Sequence, residues 1–400
     1  MLLQVLPLVF VLVGLAFYAV LGGADFGAGF WQLFPGAEGS RDFARHAIGP
    51  VWEANHVWLI FCLTVMWTAY PTAFGAIAST LSIPLFIAAI GIILRGTAYA
   101  LRSASDSDEL RPIDSVFSLS SVLTPFALGT VVGGIASRRV PVGNAAGHIV
   151  SSWLNPTSIL IGVLAVVASA YMAAVFLSAD AARHGESALE EAFRRRALGA
   201  GVLAGAIAVG GIAVVRSDSH PLYHGLVHGK GVPALAVSIV AGIGTLALVW
   251  RRRYEPARLT AALAVTSIIA GWGLAQWPVL LRGLTVEQAA APHDTLVAVI
   301  VAVLAGGVLL FPSLALLFAL VLRGRFDPAA RAAEPAGGEV LAVSAPGMLG
   351  RLAVALLVAG VGFTTVGDSA WAHAIGVTAL LGFVAVGFPA ALPPEIMGRR

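Results

Sequence analysis

Apolar stretches of about 20 residues recur along this whole chain, and no other feature restricts its fold as much. About 20 helical residues cross the hydrocarbon core of a bilayer, where every backbone N–H and C=O must be satisfied internally, so such runs become packed helices. The pattern predicts spans at residues 3–23, 52–70, 76–100, 115–135, 157–179, 197–215, 233–250, 259–280, 296–321, 350–366 and 371–391. Between them no stretch is left for a soluble domain. Residues 3–23 lack the basic leading segment and small-residue cleavage site of a secretion signal, so they read as a retained span.

Composition agrees, with 58% hydrophobic and 11% charged residues in 400, where soluble chains carry roughly a quarter charged. The single cysteine, Cys62, lies within an apolar run, which excludes a disulfide framework or a cysteine-based metal or cluster site. Lys and Arg in a membrane chain record orientation, so the net charge of +3 is no nucleic-acid footprint. Of the 24 basic residues, Arg138, Arg139, Arg216, Lys230 and Arg282 fall in the loops of one side and Arg95 falls inside the third span. The remaining eighteen lie in the alternate loops. That bias predicts the N-terminus outside and the C-terminus in the cytoplasm, and the alternation holds for eleven spans. Phosphate-binding loops, dinucleotide fingerprints and nucleophile elbows are missing, which leaves chemistry of ions, protons or a partner's cofactor.

The stretch from Tyr18 to Trp58 carries the candidate site. One helix ends in LGGADFGAGFW and the next opens with GPVWEANHVWLIF, which sets Asp25 and Glu53 at the facing cytoplasmic ends of consecutive spans. Intramembrane carboxylates are costly and usually face the bundle interior; carboxylates snorkelled at the interface are the competing reading. Gly22, Gly23, Gly27 and Gly29 surround Asp25, and the Gly23–Gly27 spacing admits a closely approaching helix, which favours burial. Pro50 suits the first turn of the second span, whose positive dipole end then holds Glu53. His56 follows at i+3 on the same face, where a carboxylate and an imidazole can pass a proton or order water. A haem or metal on His56 has few partners at membrane depth. Arg95 and Arg102 arrive at the same level and can supply positive charge to the pair. His220, His224 and His228 have helical spacing, but Pro221, Gly225, Gly229 and Gly231 argue for a solvated outer loop. Trp31, Trp153, Trp250, Trp277 and Trp371 sit at span ends, as in an aromatic belt. Ala19, Val20, Ala24 and Asp25 match Ala174, Val175, Ala179 and Asp180 at an offset of 155 residues; a parallel duplication and coincidence both account for so short a match.

GGADFGAG and GPVWEANHVWLI resemble the first two helices of subunit II of cytochrome bd-type quinol oxidases, where the usual patterns are DGFDLGVG and P-x-WDGNEVWL. The segments ILRGTAYALR (93–102), ALGTVVGG (127–134), NPTSILIG (155–162), WGLAQWPVLL with LTVEQAAAP (272–292) and FPSLALL (311–317) extend the likeness in order to about residue 325. The resemblance implies an all-α polytopic membrane protein of two parallel-related four-helix bundles plus a peripheral helix. Residues 1–325 form the oxidase-like core of about nine spans, 326–347 a cytoplasmic linker, and 348–400 two additional C-terminal spans.

It also implies a haem-free subunit of a quinol:oxygen oxidoreductase in the bacterial cytoplasmic membrane. Haems b and d then belong to a haem-bearing subunit I, quinol is the substrate of the complex, and no metal or cofactor is expected on this chain. Membrane lipid, and quinone as a further candidate, complete the partners; nucleic acid is not among them. Carried over by motif, Asp25 and Glu53 line a proton route from the cytoplasm, supported by Trp52, Asn55, His56, Trp58 and Arg95. Three departures stand out: Gly22 replaces the usual first Asp, Glu53 the usual Asp, and His56 the usual Glu or Gln. A proton-coupled transporter using Asp25 and Glu53 is the alternative from another class, and a pure scaffold is the plainest one.

Overall fold

The computed structural model describes residues 1–34, 39–40, 43–44, 52–104, 111–322, 348–366 and 369–391. It divides into two units, Met1–Val321 and Leu322–Arg400. In the first unit α1 (Leu2–Phe17), one π-helical turn (Tyr18–Gly22) and α2 (Gly23–Trp31) form a continuous rod. There follow α3 (Trp52–Ala69), α4 (Pro71–Thr80), α5 (Ser82–Ala104), α6 (Arg111–Ala136) and α7 (Pro156–His184). Next come α8 (Ser187–Asp218), α9 (His220–Val227), α10 (Val232–Trp250) and α11 (Tyr254–Gln276). A hairpin of β1 (Val279–Leu281) and β2 (Leu284–Thr285), a single turn α12 (Val286–Ala289) and α13 (His293–Leu322) complete it. The second unit holds α14 (Met348–Val366) and α15 (Ala370–Ala391), which pack on each other with Gly360 against Leu380.

Among the described residues seven helices are long and apolar enough to cross a bilayer, and shorter apolar helices at Asn55–Ala69, His293–Val308, Met348–Phe363 and Trp371–Gly387 coincide with the other four expected spans. Two boundaries differ most from expectation. The third span begins at Ser82 rather than 76, because Tyr70 (φ −137°, ψ 60°) and Leu81 (φ −103°, ψ 27°) leave helical geometry and Pro71 opens a separate short helix between them. The sixth begins at Ser187 rather than 197; at 1.5 Å per residue its 32 residues run about 48 Å, so its charged first turns extend beyond a ~30 Å hydrocarbon core. The linker at 326–347 and Pro50 lie outside the described residues.

The helix α7 is the hub. Its ends are set locally: Asn155 accepts the Ser158 amide as N-cap, Pro156 fills the first turn, and Gly185 closes the helix at φ +74°. It packs against α2, α6, α8 and α11, and Met172, Ala173, Ala174, Val175 and Ala179 are completely buried. Small side chains along it let four neighbours come close, which positions α2 and therefore Asp25. At the opposite end of the rod, Leu81, Val140, Leu281 and Val286 form a second core under the hairpin. The Ala291 amide donates to the Ala69 carbonyl at 2.8 Å, and Thr285 and Gln288 cap α12 reciprocally. The LTVEQAAAP segment thus does structural work.

Candidate functional site

The first rod changes pitch just before its acid. Across Tyr18–Gly22 the Gly23 amide reaches back five residues to the Tyr18 carbonyl, a π turn of the kind that often marks functional positions. The Leu21 carbonyl on this turn accepts from Asn55 Nδ2 of α3 at 3.3 Å. Asp25 then projects from the first turn of α2 toward α5 and α6. Arg95 of α5 meets it: Nη2 donates to Oδ1 at 2.6 Å and to the Asp25 backbone carbonyl at 2.9 Å. The other branch of the guanidinium, Nη1, donates to Ser121 Oγ of α6, which itself donates to the Phe117 carbonyl at 2.6 Å. The Asp25 and Arg95 side chains are each 1% exposed. The guanidinium carbon lies 4.2 Å from the Phe117 ring centre and 5.1 Å from that of Phe26, a distance at which a ring face attracts a cation. A planar fork that reaches acid, hydroxyl and two rings together is a task for arginine rather than lysine.

Two glycines make this closeness possible. A Cβ on Gly27 would overlap the backbone carbonyl of Ser169 on α7, and one on Gly29 would overlap the Ser121 side chain and lie 2.9 Å from Arg95 Nη1. A buried ion pair holds only when its geometry is good and its remaining polar atoms are satisfied. Here Asp25 Oδ2 and Arg95 Nε have no hydrogen-bond partner among the described residues. Asp25 therefore keeps one oxygen for a further ligand such as water.

A cluster of rings on α1, α2 and α3 adjoins the ion pair. Tyr18 and His56 face each other, with Tyr18 Oη 3.5 Å from His56 Nδ1. Their ring centres are 5.9 Å apart, and Phe26 lies 6.3 Å from Tyr18 and 5.8 Å from His56. Trp58 stacks on Phe17 at 4.5 Å, sealing α1 to α3. Glu53 and Trp52 lie on the first turn of α3, and their side chains, like that of Arg102, are outside the described residues. Of the seven residues expected from sequence, the structure thus joins Asp25 to Arg95, sets Asn55 against the π turn, and brings His56 beside the ion pair. Trp58 serves packing. Sequence reasoning missed Tyr18, Ser121 and Phe117. A hydroxyl inside a span and a tyrosine two turns before the acid were the available signals.

The second half carries a looser counterpart. Asp180, the residue that the 155-residue offset matches to Asp25, accepts from Arg258 Nη2 at 2.5 Å and also pairs with Arg183. Arg258 lies 5.1 Å from the Phe176 ring centre. Its cation comes from α11, the last helix of that half, whereas Arg95 comes from the third helix of the first, and the Asp180 side chain is 22% exposed. Acid and arginine recur; the helix that carries the arginine does not.

Two other expectations are corrected. The segment with His220 and His224 is a helix, not a loop: Pro221 occupies the first turn, where proline is tolerated, and Gly225 packs against the Ala275 backbone. His224 and His228 stack at 5.6 Å, and among the described residues no three His, Cys, Asp or Glu side chains gather to hold a metal. Trp31 is half-buried and tied inward: its Nε1 donates to the Ala170 carbonyl at 2.8 Å and Arg196 lies 5.1 Å from its ring centre. Trp250 and Trp371 are exposed, as a belt requires.

Comparison with known proteins gives a consistent result. A family model described as cytochrome bd terminal oxidase subunit II matches residues 3–321. Cytochrome bd ubiquinol oxidase subunit 2 of Bacillus subtilis is 32% identical over 161 residues, which cover 38% of this chain and 47% of that protein. Cytochrome bd-I ubiquinol oxidase subunit 2 of Escherichia coli K12 is 25% identical over 158 residues, covering 37% and 41%. The chain therefore spans about half the length of these relatives or less. A chain in the structure of bd oxidase from Geobacillus thermodenitrificans aligns with a TM-score of 0.64 at 24% identity, covering 80% of this chain and 99% of that one, a likeness of fold.

Proposed function

The chain belongs to the cytochrome bd terminal oxidase subunit II family, and from that membership we propose that it is the haem-free membrane subunit of a bd-type quinol oxidase. In this role it stabilises a haem-bearing subunit I, where quinol oxidation and oxygen reduction take place, and lines a proton route from the cytoplasm. It is held in the cytoplasmic membrane with its N-terminus outside, in contact with lipid and with quinone as a further ligand of the complex. Its core is a parallel duplication of four-helix bundles with a peripheral helix, to which residues 348–400 are appended.

The observation that carries this reading is the ion pair of Asp25 and Arg95, buried to 1% exposure within the matched motifs and beside Asn55 and His56. A pair of this kind costs desolvation that a scaffold could avoid with apolar residues, so its presence at a helix junction favours a polar path. Asp25 forms the fixed wall of that path and offers its second oxygen to water, while Glu53, one turn before His56 on α3, collects protons at the cytoplasmic mouth. This chain holds and moves protons; electrons and oxygen belong to its partner. The test is purification through a tag on this chain. A haem-bearing partner should accompany it, and Glu53→Gln should slow quinol-driven oxygen consumption while leaving the haem spectrum in place. A colourless preparation from oxygen-limited cells would refute the assignment, and normal turnover in the Asp25→Asn, Glu53→Gln double variant would reduce the chain to a scaffold.

A further inference from the structure

Gly22 stands where the family motif usually has its first aspartate, so this chain has lost a carboxylate at a buried position beside its ion pair. The space at that position is occupied. A Cβ placed on Gly22 would lie 3.2 Å from two carbons of the Tyr18 ring, closer than comfortable packing allows. The Tyr18 ring thus fills the space into which a residue-22 side chain would project, and it is 6% exposed. Its hydroxyl is not idle. It faces His56 Nδ1 at 3.5 Å, and His56 is itself a departure from the usual Glu or Gln. Tyr18 and His56, from different helices, therefore meet beside residue 22.

We infer that Tyr18 and His56 form a relay that moves protons through this subunit in place of the carboxylate missing at residue 22. The inference rests on the proton-route reading above. A hydroxyl both donates and accepts one hydrogen bond, and an imidazole can gain a proton on one ring nitrogen while losing one from the other. One passage balances as follows. A hydronium ion gives a proton to His56 Nε2. His56 Nδ1–H passes its proton to Tyr18 Oη, and the Tyr18 O–H releases its own to water on the far side. One proton enters, one leaves, and rotation of the hydroxyl and a tautomer exchange reset the pair. Phe26, against both rings at 5.8–6.3 Å, restrains the two partners. The Asp25–Arg95 pair holds the local charge balance at zero.

The test uses the complete complex purified through this chain, with quinol-driven oxygen consumption and proton uptake measured per haem. Tyr18→Phe keeps the ring and its packing and removes only the hydroxyl. It should lower turnover about 100-fold, the low end of what a positioned proton-transfer group contributes. His56→Gln, which retains hydrogen bonding but cannot exchange protons between two nitrogens, should lose a similar factor. The double variant should be no slower than the slower single, because residues acting as one unit are not additive. Replacing Tyr18 with Ala opens the space at residue 22, and Gly22→Asp in that background should restore turnover that Tyr18→Ala alone loses. Parental rates in Tyr18→Phe, or losses that multiply in the double variant, would overturn the relay. If Tyr18→Phe fails to assemble, parental turnover in His56→Gln overturns it equally. A parent preparation without haem or oxygen consumption would instead refute the proton-route reading itself, before any variant is compared.

Discussion

Replacing Asp25 with Asn tests the ion pair directly, because the amide keeps the shape and removes the charge. In the variant the Arg95 guanidinium stays 1% exposed and, among the described residues, meets only the Ser121 hydroxyl, the residue-25 backbone carbonyl and the rings of Phe26 and Phe117. None of these balances a full charge. Leaving one member of a buried pair uncompensated costs about 3–5 kcal/mol, a large part of the roughly 5–15 kcal/mol that separates folded from unfolded states. Arg95→Met should cost a similar amount for the complementary reason, since it strands the carboxylate. The Asp25→Asn, Arg95→Met double variant places an amide beside an apolar side chain of similar reach, and a buried pair replaced as a unit is often close to neutral. All four proteins would be unfolded reversibly in mixed micelles by titration with a denaturing detergent, followed by helical circular dichroism and tryptophan fluorescence. The double variant should be more stable than either single one, with a coupling energy of about 3 kcal/mol, the upper end for contacting residues. Additive losses, or parental stability in Asp25→Asn alone, would refute the claim that the two side chains form one buried unit.

Gly27→Ala should lower stability by about 1–3 kcal/mol through overpacking against Ser169, whereas Gly205→Ala, with open space around it, should gain about 0.5–1 kcal/mol; the same detergent titration separates them. Asp180→Asn should cost no more than about 1 kcal/mol, because its pairs with Arg183 and Arg258 are partly solvated; a loss as large as that of Asp25→Asn would show that this second pair is functionally buried. For orientation, cysteines placed at Lys230 and Arg251 in a Cys62→Ala background should react oppositely with a membrane-impermeant maleimide. Position 230 should label in intact cells and position 251 only after permeabilisation, and the reverse pattern would invert the proposed topology.

The number and rough position of the helices were legible because a bilayer leaves a chain few choices: the apolar runs and the arginine distribution are large signals spread over many residues. Arg95 was visible as a misfit inside a span, and the glycines around Asp25 announced a close helix contact, which Gly27 makes with Ser169. Arg95 was also expected to supply positive charge at the level of Asp25, and the structure pairs the two. The direction in which each side chain faces was not legible, because it depends on rotation about the helix axis, and the π turn alters that rotation without any sequence mark. Tyr18 and Asp25 are seven residues apart, which on a regular α-helix places them on one face. The π turn between them breaks this register, and the structure uses the difference: Tyr18 turns to His56 on α3, while Asp25 turns to Arg95 on α5 and Ser121 beyond it. One helix thereby serves two neighbours within two turns. A straight helix would have directed the hydroxyl and the carboxylate at the same partner; the extra residue in that turn separates a fixed ion pair from the exchangeable Tyr18–His56 contact beside it.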